Sequence, residues 1–380
     1  MANFTFTKIA DTNNSYSFLD GFPSINNEGT VAFGTGQEVT GSLFTNAIGQ
    51  SIFTGSGGPL TTIADISGPY SFFGGNSSIN DGGTVTFFAT KKVEGGSIFN
   101  GDAQGIFTGS GGSTTTISDS SDPFPFFARP TKANPSINDG GTVAFFATQV
   151  GFNNSSAGIF TGSSGAIATI ADTSGLFSSF FDDPSINDGG TVAFSADLDA
   201  GGEGIFTGSG GPITTIADTS GLFSTLDSPS INNEGTVAFR GFLDTEEEGI
   251  FTGSGGPITT IADTSGLFST FGSPSINNQG TVAFSASLDA GGEGIFTGPN
   301  PVTDKVIATG DPLLGSTVVR LAFFREGLND PGQVAFAVRL ADGTQGIYRA
   351  DPISVPETSS ALSSLVTVAL GLIMMRKKRQ

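Results

Sequence analysis

Ser275-Ile-Asn-Asn-Gln-Gly-Thr-Val-Ala-Phe284 decides the fold, because near-copies of it run through the whole chain. They stand at Ile25–Phe33, Ile79–Phe87, Ile137–Phe145, Ile186–Phe194 and Ile231–Phe239, with a degenerate seventh at Leu328–Phe336. The aligned asparagines Asn26, Asn80, Asn138, Asn187, Asn232, Asn277 and Asn329 lie 54, 58, 49, 45, 45 and 52 residues apart. A period near 45 falls in the range of a propeller blade. Each copy joins a short apolar start to Thr-Val-Ala-Phe through Asn, Asp and Gly, residues that tolerate the positive φ of a tight hairpin. We read the turn residues as structural, with the Asn and Ser side chains (Ser136, Ser185) bonding local backbone in every copy.

Outward from that hairpin, Glu293–Gly298 reads as a third strand and Ile258–Asp263, in the copy before, as a fourth. One such antiparallel meander cannot bury both faces, so neighbouring copies must stack. The chain opens with Phe4–Asp11, which matches a fourth strand, whereas the last repeat stops after a third at Gln345–Ala350. The predicted fold is therefore all-β: a seven-bladed propeller of four-stranded antiparallel blades over residues 1–350, closed by the N-terminal strand. Residues 351–360 form a linker, and residues 361–380 one apolar helix with a basic tail.

Composition narrows the chemistry. Glycine at 57 residues supplies turns, and 36 phenylalanines supply the filling between blades. The absence of histidine removes the commonest general base and metal ligand, and the absence of cysteine removes thiolate sites. Net charge is −20; without the tail cluster and Glu357, 11 basic residues face 34 acidic ones. Such a ring repels nucleic acid and anionic lipid, so no nucleic-acid partner is expected.

Residues 1–20 carry no basic segment followed by an apolar one, so an export signal is expected upstream of Met1. At the other end, Ala361–Met375 is apolar and Arg376-Lys377-Lys378-Arg379 follows it. The positive-inside bias places that cluster on the cytoplasmic side and the ring on the other. The tail, with Val355-Pro356-Glu357, resembles the PEP-CTERM sorting signal; Thr358 stands where that family has a second proline. The resemblance implies an exosortase-like sorting protease as partner, membrane contact through the helix, and a cell-surface or membrane-anchored location. The Asn-x-x-Gly-x-x-Ala-Phe repeats resemble the choice-of-anchor tandem-repeat proteins, a family of surface proteins without an assigned activity. The layout is also similar to the TolB-type propeller repeat and the Asp-box turn, at the level of fold alone.

Among candidate sites, Asp197, Asp199 and Glu203, with the copy Asp289 and Glu293, set oxygens around glycines like a weak calcium loop. The full alternating ligand set with its terminal bidentate Glu is missing, and no other cofactor is expected. The Phe-rich links Gly175–Phe181, Gly221–Phe223 and Gly266–Phe271 are predicted to plug the seams between blades. They share a rim with the Asp-Ala-Gly-Gly loops, where aromatics beside carboxylates suit a glycan. No acid stands out from its copies, so the expectation is a structural or binding module, not an enzyme, directed at extracellular polysaccharide or matrix. The alternative is a carboxylate-dependent polysaccharide hydrolase, which an isolated acid deep in the central channel would favour.

Overall fold

The structure, a computed structural model, describes residues 4–12, 19–37, 48–92, 103–120, 134–150, 155–163, 165–181 and 184–353. Blade 5 shows the plan: Phe223–Ile231, Val237–Leu243, Glu248–Gly253 and Thr259–Asp263 pair in that order, all antiparallel. The same four-stranded meander forms seven blades. Blade 4 splits its first strand into Phe177–Phe180 and Ser185–Ile186, and blades 1 and 2 touch through the bridge Gly49↔Phe73. Blade 7 takes Ser316–Ala322, Val334–Leu340 and Gln345–Pro352 from the end of the chain and Phe4–Asp11 from its start. Those last two strands pair from Phe4↔Pro352 to Asp11↔Gly346, so the ring closes as the sequence predicts. The predicted C-terminal helix lies outside the described residues.

The repeated turn is a three-residue hairpin loop closed by a bulge. In each copy the glycine amide bonds back to the asparagine carbonyl, as Gly29 N–H does to Asn26 O at 3.0 Å. That glycine sits at positive φ in all seven blades, from 73° at Gly83 to 79° at Gly332. The first strand of each blade ends at this turn and lines the central axis, while the fourth strand, such as Thr214–Asp218, forms the outer edge with its leading threonines exposed.

Between blades the filling is aromatic. In blade 6 the ring of Phe268 lies 5.4, 5.8 and 5.0 Å from Phe271, Phe284 and Phe296. Blade 4 repeats the cluster with Phe177, Phe180, Phe194 and Phe206, and blade 2 with Tyr70 in place of the leading Phe. Buried aromatics of this size dominate the stability of such seams. Phe177, Phe180, Phe223, Phe268 and Phe271 of the links therefore plug the seams, but Phe181 is exposed, and so is the leucine of each link: Leu176, Leu222 and Leu267 face solvent.

Candidate functional site

One end of the channel is built from backbone-bonding side chains. Each motif asparagine is buried, and its Oδ1 accepts the amide of its own turn four residues on. Its Nδ2 donates to the carbonyl of the asparagine in the next blade, and Asn329 closes the circle on Asn26 O at 2.8 Å. The following residues, Asn27, Asp81, Asp139, Asp188, Asn233, Asn278 and Asp330, form a second ring in which each Oδ1 accepts its neighbour's amide. We call this face of the ring the crown. The serines reach further than expected: Ser136 Oγ accepts the amide of Ile186 in the next blade instead of local backbone.

Blade 7 breaks the symmetry. Phe271 pairs with Ala286 and Ile276 with Val282 in blade 6; the equivalent pairs in blade 7 are Leu321↔Val338 and Leu328↔Val334. Its inner strand is thus two residues longer, and the surplus folds into the channel. Glu326 accepts Ser78 Oγ and Ser136 Oγ at 3.3 and 3.0 Å, and its carbonyl takes the amide of Ile25. Arg325, 3% exposed, donates to Asn134 O at 2.8 Å and lies 3.6 Å from Glu326. Phe324 stacks on Phe22 of blade 1, with ring centroids 5.2 Å apart. This plug touches blades 1, 2, 3 and 5 and floors a polar hollow of about 140 Å³ on the crown side.

On the opposite face, beside the plug, a cavity of about 350 Å³ opens among blades 5, 6, 7 and 1. Phe22, Phe271, Phe323 and Phe324 give it an aromatic wall; Thr270, Ser273, Ser285 and Ser287 give it hydroxyls; Arg240, Arg320 and Glu293 add charge. Its origin is a pair of small residues. Blade 5 carries Asp227 opposite Arg240, joined by a bidentate ion pair, and Arg240 also donates to Phe271 O at 3.0 Å. Blade 6 carries Gly272 and Ser285 at the corresponding places and leaves the space open. Asp227 holds the Arg240 guanidinium above its ordinary pKa, against the opposing effect of burial.

The expected calcium residues are occupied in other ways. Asp197 sits opposite Glu203 in the hairpin and accepts Ser179 Oγ. Glu203 and Glu293 accept the amides of Leu226 and Leu321, at 2.8 and 2.9 Å, clamping each blade to the next as Glu248 does at Phe271. Burial pushes the carboxyls of Glu203 and Glu248 above the ordinary range, although the accepted amides pull the other way. Asp199 and Asp289 are exposed at hairpin tips. Among the described residues, no group of three or more carboxylates is placed to hold a metal. Val355, Pro356, Glu357 and Arg376–Arg379 lie outside the described residues, and no described helix is long and apolar enough to cross a membrane.

No curated protein matches the sequence. Solved structures do resemble the fold. An oligogalacturonate lyase from Vibrio parahaemolyticus aligns with TM-score 0.53 at 11% identity, over 94% of this chain and 98% of its own. An oligogalacturonate lyase in complex with manganese gives 0.52 at 11%, over 93% and 99%. Pyrococcus horikoshii acylaminoacyl peptidase gives 0.52 at 12%, over 88% of this chain and 52% of its own. At such identities the likeness is one of fold. It nonetheless corrects the expectation that this chain is not an enzyme, since propellers of this shape include lyases and a peptidase. The expectation rested on every acid having its copies, and Glu326 has none. At a coarse level the fold suits a binding or hydrolytic module. The sequence matches a described family over residues 5–362, and the chain belongs to that family, the family of unknown function DUF7453.

Proposed function

We propose that this propeller recognises a sugar chain of an extracellular polysaccharide at the cavity between blades 6 and 7. The observation that carries the reading is the pairing of an aromatic wall with four hydroxyl side chains, at the one place where blade 6 is hollowed and blade 7 is lengthened. A cavity of about 350 Å³ falls in the range of ligand sites that bury most of a small molecule. Phenyl faces take the C–H faces of a sugar ring, and serine hydroxyls take its hydroxyls as donors or acceptors. The likeness to oligogalacturonate lyases supports a saccharide over other ligands of that size.

Cleavage of the bound sugar at the same cavity is the second reading. Glu293 brings a carboxylate to the wall and Arg320 a counter-charge. Glu326 is the isolated channel acid, but its oxygens are held by two serines and it faces the smaller hollow. A location outside the cytoplasmic membrane is supported by the tail sequence and by acidity that repels intracellular polyanions.

The test is calorimetric titration of neutral and uronic oligosaccharides into the full chain and into Ser285→Arg. That arginine is the side chain blade 5 already carries at the equivalent place, so it fills the cavity without a foreign shape. Binding by the parent, lost by at least about tenfold in the variant at unchanged Tm, is the expected result. Equal binding by both proteins, or none by either, would overturn the assignment. Glu293→Gln, assayed for release of new sugar ends, separates cleavage from binding.

A further inference from the structure

Leu176, Leu222 and Leu267 are 65%, 69% and 59% exposed, at the same position of three consecutive inter-blade links. Each is fixed, not frayed: its carbonyl accepts the amide of Asp199, Asp244 or Asp289 in the adjacent hairpin, at 3.0, 3.0 and 3.1 Å. Those three aspartates are themselves exposed. Leu198, Leu243 and Leu288, half-buried, lie beside them and pair with the link phenylalanines. The rim of blades 4, 5 and 6 therefore repeats one unit three times, an exposed leucine next to an exposed carboxylate.

Two features separate this arc from scattered surface leucines. First, its charge has one sign: the links 173–177, 219–223 and 264–268 and the hairpins 198–203, 243–248 and 288–293 contain no Lys or Arg. Second, blade 5 adds to that sign at a conformational cost. Glu246 takes the place of the glycine found at Gly201 and Gly291, and keeps that glycine's positive φ, at 73°. A non-glycine residue there is disfavoured by sterics. A single exposed leucine is ordinary, but here one recurs at the same place on three successive blades, each set beside a carboxylate. The interleaved carboxylates exclude an anionic lipid surface and any acidic partner.

We infer that the rim of blades 4–6 docks a cationic amphipathic segment of a partner protein, its apolar side chains on Leu176, Leu222 and Leu267 and its Lys or Arg on Asp199, Asp244 and Asp289. Charge complementarity selects this occupant: apolar contact gives affinity, and the carboxylates set the sign of the partner. The surface is separate from the sugar cavity and does not rest on that reading.

The full chain is titrated with a soluble synthetic peptide bearing leucines on one helical face and lysines on the other, and with its glutamine-for-lysine version. The lysine peptide should bind and the glutamine peptide bind at least about tenfold more weakly. Two triple variants test the arc: Leu176→Ser with Leu222→Ser and Leu267→Ser, and Asp199→Asn with Asp244→Asn and Asp289→Asn. Each should lose about tenfold or more at unchanged Tm, since all six side chains are exposed, and only the second should lose its salt dependence. Absence of binding overturns the inference. So does undiminished binding by the leucine variant, which would reduce the effect to bulk acidity. Sedimentation gives a third arm: a dimer of the chain alone that the leucine variant abolishes would mean a second copy covers the arc, and would overturn it too.

Discussion

The motif asparagine is asked to do two opposite things, and the amide is the side chain that does both. Its oxygen accepts within its own turn, and its nitrogen donates to the next blade, as Asn232 does to Asn277 O at 3.1 Å. A carboxylate of the same shape has no donor. Asn232→Asp should therefore cost about 2–4 kcal/mol in chemical denaturation, from a lost bond and a carboxylate turned on a carbonyl. One residue along, the demand is reversed. Asp188 only accepts, from Asp139 N–H and Asn233 Nδ2, so Asp188→Asn turns a donor on the Asn233 amide and loses that bond, while it removes a charge from the ring. The carboxyl of Asp139 is pushed up, first by burial and then by the charges of Asp188 and Asp81. Such a group destabilises the fold fully above its raised pKa and ceases to do so as pH falls below the ordinary carboxylate value. Asp188→Asn should flatten stability across that acid window, and an unchanged profile would remove the repulsion from the account. The sequence shows these turns plainly, because Asn-x-x-Gly has local meaning. The donor reaching a blade 45 residues away has no local signature.

At the scale of elements, ring closure was legible and the channel plug was not. The orphan strand Phe4–Asp11 announces its place because it copies a fourth strand, and Thr7 Oγ1 bonding Asp351 at 2.8 Å confirms the register. Arg349 adds a second tie, donating to Gly29 O of blade 1. Removing residues 1–11 takes the buried Ile9 and Ala10 out of the core and leaves Gln345–Pro352 as an open edge. Loss of Tm by about 5 °C or more, with association at micromolar concentration, is expected in light scattering and melting. A monodisperse truncation with parental Tm would mean the ring does not depend on that strand. The plug escapes the reading for a physical reason: between Leu321 and Leu328 the last blade holds two residues more than blade 6 does between Phe271 and Ile276, and an insertion carries no period. Its trace in the sequence is the loss of the motif serine, since Gly327 stands where Ser275 stands in blade 6. The cavity between blades 6 and 7 had a trace as well, in Gly272 and Ser285 against Asp227 and Arg240 in blade 5.

For the whole molecule, the two ends of the described chain emerge together. Phe4 pairs with Pro352 beside the crown, whereas the cavity and the leucine arc lie on the opposite face. A tether attached after Ile353 would hold the crown toward its support and leave the cavity and the leucine arc turned away from it. We expect the full chain to fractionate with the membrane or cell surface, and a form ending at Ile353 to separate from it. Recovery of both in the soluble cytoplasm would remove the surface location.

The plug has a consequence for counting. Blades 5 and 6 repeat so closely that nothing within a blade specifies how many should follow before the circle shuts. Each asparagine senses its immediate neighbour alone, and a neighbour looks the same in a ring of six, seven or eight. Arg325 and Glu326 measure something else: they reach across the axis to Asn134, Ser78, Ser136 and Ser230, so their bonds span a diameter. A diameter is met at one circumference. The two surplus residues of the last blade thus act as a gauge, rewarding the ring that has seven members and leaving a buried charge unanswered in any other.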